Sequence, residues 1–401
     1  MKFLFDNESF SFETLRSAGF ANYGGADLGD VLVTAAAIPD GDEVAWHREW
    51  KATAERVEQW GRASVADGHP VSAREALLRA SNYYRTGEFF RRDDPAHDEE
   101  VALMSGRSRA TFQDAMALFD FGFEVVSIPY EDTTLPGYLY LVDDSGASRP
   151  TIVYTSGYDS TLEESYFAIA AAALARGYNV LAFDGPGQGA ALRAQQLTFR
   201  HDWEAVTTPV IDFALTRPEI DAERITLFGY SLGGYLVARA AAFETRIAAL
   251  ILDDGIYDFH AAMVNAMPPF LNEWIEQGHD DAALPVIALM MSVNTQFRWA
   301  IHNGLWSMGL ESPADVPRAF KKYTLAGIAD RITAPTLILD PDSDQFLHGE
   351  PRRAADALVN AKTTLITLPD SEGSGEHCHM GAMSRLHQVI FNWLDETLAM
   401  S

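Results

Sequence analysis

Residues 227–242 read LFGYSLGGYLVARAAA. A short apolar run crosses glycines on either side of Ser231 and continues with helical spacing, which predicts a strand turning sharply into a helix at the serine. Gly229 and Gly233 let the two elements approach closely, and the corner lifts the serine Oγ clear of the carboxyl edge of a sheet. A serine hydroxyl is a weak nucleophile until a base takes its proton. The rest of the chain must therefore supply a histidine, an acid to orient it and N–H donors for an oxyanion.

Outward from this corner the chain divides in two. Residues 1–122 show helical periodicity, with Val44, Trp46, Trp50, Ala54, Val57 and Trp60 at spacings of mostly three or four. Ser72 to Glu75 reads as a capping box opening the next helix. Three tryptophans on one helix are expected to pack, and they can also cover a site. From residue 123 short β-rich runs alternate with helices: FEVVSIPYE, LPGYLYLVD, TIVYTSG, YNVLAFDG, RITLFG, IAALILDDG, APTLILD and TTLITLPD. Continuous apolar strands between helices predict an α/β fold with a mostly parallel central sheet covered on both faces. About 75 residues separate LILDDG from APTLILD, far beyond the usual 2–6 of such connections. The expected organisation is a helical N-terminal domain (1–122), a core in two parts (123–257 and 329–401) and a helical lid inserted at 258–328.

Composition narrows the class. The 401 residues, 47% hydrophobic and 11% aromatic, suffice for a large core. Thirty Lys+Arg against 57 Asp+Glu give a net charge of -27, which disfavours nucleic acid and anionic membranes as partners. The single cysteine, Cys378, rules out an intrachain disulfide and a multi-cysteine metal site. No signal-peptide core or membrane-spanning run stands out, so a cytoplasmic location is expected.

An acid and a histidine follow the serine, as one known chain order of a Ser/acid/His set requires. PTLILDPDSDQF is a buried-type strand followed by Asp340, Asp342 and Asp344. Asp344 lies a few residues past the strand end, where a carboxylate can reach across to a histidine; Asp253 and Asp254 after the preceding strand are the alternatives. GSGEHCHM offers His377 and His379, with His377 preferred as the base directly after the Gly-rich approach. Cys378 between them reads as a packed thiol. For the oxyanion, Leu232 supplies one peptide N–H and Tyr158, just after a strand, the other. DGPGQG at 184–189 lacks the residues of a phosphate loop and reads as a tight structural turn beside the site. Neither a cofactor nor a metal is called for. In the insertion, Met263, Met267, Trp274, Met290, Met291, Trp299, Trp306 and Met308 suit a lid over an apolar pocket, with Trp299, Trp306, Met263 and Met267 taken as pocket residues.

On SGYDSTLEE, FDGPGQG, GYSLGG and GEHCHMGA, behind a helical N-terminal part, the chain resembles the α/β-hydrolase superfamily. More narrowly it resembles the group of 2,6-dihydroxypseudooxynicotine hydrolase and the fungal polyketide-shortening hydrolases, with FrsA-like esterases more distant. The resemblance implies a Ser-His-Asp hydrolase acting through an acyl-enzyme on a small hydrophobic or aromatic keto or acyl compound, in secondary metabolism. The bond cleaved is then an ester or a carbon–carbon bond next to a ketone. An acyltransferase or cyclase using the same triad, and a non-catalytic ligand-binding protein on this fold, are the other readings. A small-molecule substrate is the partner expected, with a homodimer left open.

Overall fold

The strands are rich in β-branched and aromatic residues, and in the central ones the side chains alternate between two buried faces. In the computed structural model, which describes residues 2–265 and 267–399, they form one eight-stranded sheet of order β1-β2-β4-β3-β5-β6-β7-β8. The helices α1 (Glu8–Gly19), α2 (Leu28–Ala36), α3 (Glu43–Ala66), α4 (Pro70–Glu88) and α5 (Glu99–Met116) come first. The strands β1 (Gly122–Tyr130), β2 (Thr133–Leu141) and β3 (Arg149–Thr155) lead to a π-type turn, Tyr166–Ala170, that continues as α6 (Ala171–Leu174). Then come β4 (Asn179–Phe183), α7 (Gly189–Gln195), α8 (Glu204–Ala214), β5 (Ile220–Tyr230), α9 (Leu232–Ala241) and β6 (Ala249–Asp253). Five helices, α10 (Phe259–Asn265), α11 (Pro269–Gln277), α12 (Asp280–Val293), α13 (Thr295–Met308) and α14 (Asp315–Phe320), separate β6 from β7 (Thr336–Pro341). The chain ends with α15 (Glu350–Ala357), β8 (Thr363–Leu368) and α16 (Met383–Thr397).

Only β2 runs against its neighbours; β4, β3, β5, β6, β7 and β8 pair in parallel. One face, with Val153, Leu181, Leu227, Leu250 and Ile338, packs against α8 and α9. The other, with Ile152, Val180, Phe228, Ile251 and Leu337, packs against α16 and against Phe12 and Leu15 of α1. Burying both faces explains why the strands read as unbroken apolar runs. The parallel strands deliver their carboxyl ends, and the loops after them, to one edge, where the site lies.

Two local expectations differ from the structure. Helix α4 begins at Pro70 with His69 as its N-cap, so Ser72 sits inside the first turn and the capping box does not form. Proline at the first helical position already has the required φ and lacks only an N–H that would go unpaired there. Of the three tryptophans of α3, Trp46 and Trp50 are buried in the helical core, while Trp60 is half exposed under Arg56.

Candidate active site

Ser231 occupies the corner between β5 and α9 with φ 58 and ψ -126, a backbone region that side chains disfavour. The corner is held because Ser231 N–H donates to the Asp253 carbonyl and Gly234 N–H to the Ser231 carbonyl at 2.7 Å. Glycine is demanded on both sides. A Cβ on Gly229 meets the Gly233 carbonyl oxygen at 2.1 Å, and one on Gly233 meets the Thr155 oxygen at 2.5 Å.

His377 sits in the turn between β8 and α16, where Cys378 and His379 take positive φ. Its Nε2 lies 2.9 Å from Ser231 Oγ and its Nδ1 2.8 Å from Asp344 Oδ2. The Asp344 Oδ1 accepts N–H groups from Phe346 at 2.7 Å and Leu347 at 3.1 Å. Ser231, His377 and Asp344 are thus in one hydrogen-bonded line. Burial alone pushes the His377 imidazole down, yet its acidic neighbours, the Asp344 carboxylate first among them, outweigh burial and raise its pKa above the usual range. Burial likewise opposes ionisation of Asp344, and His377 with the two backbone donors reverses it, leaving the carboxyl below its ordinary value.

The alternatives take other places. His379 donates from Nδ1 to the Ser374 carbonyl at 2.7 Å, its Nε2 is 3.3 Å from Asp253, and burial lowers its pKa to about 4. Asp340 accepts from Thr367 at 2.9 Å and Asp342 from Asp370 N–H at 2.9 Å, so both brace the β7 and β8 loops. Asp254 does reach the site: its Oδ2 is 2.8 Å from the same His377 Nδ1.

Leu232 opens α9 and carries one of the N–H groups that a helix cannot satisfy internally. Tyr158 follows β3. The carbonyls of Ser156 and Gly157 accept from Gln188 Nε2 at 2.6 and 3.2 Å, and Asn303 donates to the Tyr158 carbonyl at 3.1 Å. In a trans peptide the N–H points opposite its C=O, so the Gly157–Tyr158 unit turns the Tyr158 N–H away from Gln188. Gln188, in the loop read as a tight structural turn beside the site, makes a contact to this loop that the sequence reading missed. Its Oε1 also accepts from Gly185 N–H at 3.0 Å.

A cavity of about 530 Å³ opens in front of Ser231. Phe12, Phe259, Met263, Met267, Phe297 and Trp299 line its apolar wall, with Asn265, Asn294, Gln296 and Gln345 among its polar members. Trp299 stacks on Phe89 at 4.6 Å and donates to the Phe89 carbonyl at 2.8 Å. The pocket assignment of Trp306 is corrected: the residue lies outside this cavity, between Arg92 and Arg193, 5.4 and 5.0 Å from its ring. Seven residues along α13 carry it roughly 10 Å beyond Trp299, past the end of the space.

Two sets of side chains bring metal-type donors within 4.8 Å of one another: Asp254, His377 and Cys378, and Asp253, Asp254 and His379. In the first set both His377 nitrogens already face hydrogen-bond partners, and burial holds Cys378 as the thiol. Among the described residues, no helix is long and apolar enough to cross a membrane.

A mostly parallel eight-stranded sheet with a strained serine corner after its fifth strand defines the class. The chain belongs to the alpha/beta hydrolase family, which it matches over residues 152–388, and it matches the FrsA-like esterases over residues 36–264. It is 38% identical over 411 residues to hydrolase LUC6 of a Fusarium species, covering 98% of this chain and 97% of that protein. It is also 38% identical to the 20-hydroxy-prefusarin hydrolase FUS2 of Gibberella moniliformis, over 99% of this chain and 98% of that one. The solved structure of 2,6-dihydroxy-pseudo-oxynicotine hydrolase shares the fold, with a TM-score of 0.74 over 95% of both chains at 22% identity. The chain is a hydrolytic enzyme.

Proposed function

We propose that this hydrolase works through Ser231 as nucleophile, His377 as general base and then acid, and Asp344 as the group that orients His377. What supports the reading is the line from Ser231 Oγ through His377 to Asp344, with both hydrogen bonds under 3.0 Å and the serine facing the 530 Å³ cavity. Ser231 Oγ attacks a carbonyl carbon as its proton passes to His377 Nε2. The oxyanion is met by the N–H groups of Leu232 and Tyr158. Collapse expels the leaving group, His377 H⁺ protonates it, and water then releases the acid from the acyl-enzyme.

The substrate we infer is a small, largely apolar or aromatic keto or acyl compound of secondary metabolism. The apolar wall with a few amide groups suits it, and one relative is named as a hydrolase of 20-hydroxy-prefusarin. An ester leaves as an alkoxide. A carbon leaving group must instead delocalise its charge as an enolate or phenolic carbanion before His377 can protonate it. An active-site phosphonate should add its mass to wild-type protein and not to Ser231→Ala; equal labelling of both overturns the reading. Turnover of a β-diketone and of its ester isostere in ¹⁸O-water then separates the chemistries, since Ser231-dependent cleavage of the ester alone leaves an esterase.

A further inference from the structure

Asp254 is a fully buried carboxyl group that the mechanism above does not use. It follows β6, one strand away from Asp344, and its backbone is pinned against α9: a Cβ on Gly234 meets the Asp254 carbonyl oxygen at 1.8 Å. Its Oδ2 is 2.8 Å from His377 Nδ1, the same distance as Asp344 Oδ2, and 3.7 Å from Cys378 Sγ. Its Oδ1 has no partner. One imidazole N–H therefore faces two carboxyl groups.

Two ionised carboxylates this close in a buried site repel, so the pair retains one proton. The charge belongs on Asp344, which has two backbone N–H donors that Asp254 lacks. Burial and the neighbouring Asp344 push Asp254 up to about 7, consistent with a neutral acid beside an ionised partner. The other titratable groups here are Tyr230 at the end of β5, Asp253 of β6, and Cys378 and His379. Burial raises the pKa of Tyr230, Asp253 and Cys378 and lowers that of His379 to about 4.

We propose that Asp254 is a second positioning carboxylate for His377, able to ionise and take over the orienting role when Asp344 is lost. The proposal rests on the Ser231–His377 reading and extends it. With a single acid, its exchange for the amide costs about 10⁴ in rate, because the histidine is left in the wrong tautomer. Here Asp254 still accepts from Nδ1–H, so the tautomer survives.

The test is the rate at which a fluorophosphonate labels Ser231, followed by intact mass across pH 5 to 9. Variants Asp344→Asn, Asp254→Asn, the double variant, His377→Ala and Ser231→Ala are compared, with a thermal melt to show that each is folded. Asp344→Asn should lose no more than about 10²-fold and the double variant about 10⁴-fold, a non-additivity that a merely structural Asp254 does not produce. The rate of Asp344→Asn should rise with pH through ionisation of Asp254, a limb absent from the double variant. A loss above about 10²-fold in Asp344→Asn alone, with His377→Ala and Ser231→Ala inert, overturns the proposal and leaves the triad standing. This single-variant criterion decides even if Asp254→Asn does not fold. Labelling of Ser231 at the wild-type rate in His377→Ala removes both readings.

Discussion

Gly157→Ala places a methyl group where the loop proposed to hold the oxyanion meets the serine. A Cβ there is 2.8 Å from Ser231 Cβ, 3.0 Å from the Tyr230 oxygen and 3.1 Å from Ser231 Oγ. Carbon atoms in contact prefer about 3.5–4.0 Å, so roughly 0.7 Å or more of overlap must be relieved. Ser231 cannot move away freely, since its strained corner is tied to Asp253 and Gly234. The 156–158 loop must shift instead, against Gln188 and Asn303. Overpacking of this kind costs about 1–3 kcal/mol and should lower Tm by a few degrees. The catalytic cost is larger, because a displacement near 1 Å, or loss of one oxyanion donor, removes about 10²–10³ in rate. kcat/KM for p-nitrophenyl butyrate should therefore fall by that factor. Gly106→Ala is the control: this exposed α5 glycine has nothing within 4 Å of its Cβ, and the change should stabilise by about 0.5–1 kcal/mol with activity intact. Gly157→Ala within threefold of wild type in kcat/KM refutes the assignment of this loop to the oxyanion.

Gln188→Ala removes donors to two loop carbonyls and should lower kcat by about 10- to 100-fold with little change in KM, measured on the same ester. Trp299→Ala opens the cavity wall and should raise KM for a bulky aryl ester several-fold while leaving an acetate ester almost unaffected; equal effects on both argue against a role in binding. His387 is buried, donates from Nε2 to the Ala168 carbonyl and accepts from Tyr23, and burial lowers its pKa from 6.5 to about 4. The unfolded chain takes up this proton below about 6.5 and the folded chain only near 4, so the residue destabilises the fold as pH drops through that window, by roughly 3 kcal/mol in full. Buried Asp254 and Asp184, both raised to about 7, act in the opposite sense between pH 4 and 7, so the measurement is a difference. Urea unfolding of His387→Gln against wild type should show a smaller loss of stability between pH 6.5 and 4.5.

The elements that read clearly from sequence are those whose environment is set by local pattern. β3, β5, β6 and β7 are buried on both faces, so their apolar runs are unbroken, and Ser231 announces itself because a glycine corner after such a run has few other uses. Asp344 and His377 were reachable through chain order. Contacts between distant segments leave no such trace. Gln188 acts on carbonyls some thirty residues earlier, and the glycines around it mask a polar side chain with a purpose. Asp254 and Asp344 look alike in sequence, each just past a strand, and only the meeting of both loops at His377 shows that both reach its Nδ1. Trp306 misled because composition marks a lid as apolar without saying where along α13 the cavity ends.

The helical N-terminal segment enters the site through charge as well as packing. Arg16 of α1 bonds Asp159 and Glu164, each at 2.8 Å, while Arg85 of α4 bonds Glu13 at 2.8 Å and Glu164 at 3.2 Å. Three acids face two arginines, and burial pushes the Glu13 carboxyl up against the pull of Arg85 and Arg16. Burial opposes the charge on Asp159, but Arg16 and Arg85 outweigh it and keep the group ionised. Asp159 is the residue next to Tyr158. An unpaired carboxylate there repels any oxyanion held by the Tyr158 N–H, and in a water-poor site that repulsion is screened weakly. Pairing with Arg16 cancels it. Removing one partner of a buried ion pair typically costs about 3–5 kcal/mol, chiefly because the other charge is left buried and unpaired. The same helix presents Phe12 to the His377 ring at 6.0 Å. The loop after β3 and the His377 ring are therefore both contacted by residues of α1, which places α1 within the proposed site rather than as a cover laid over it.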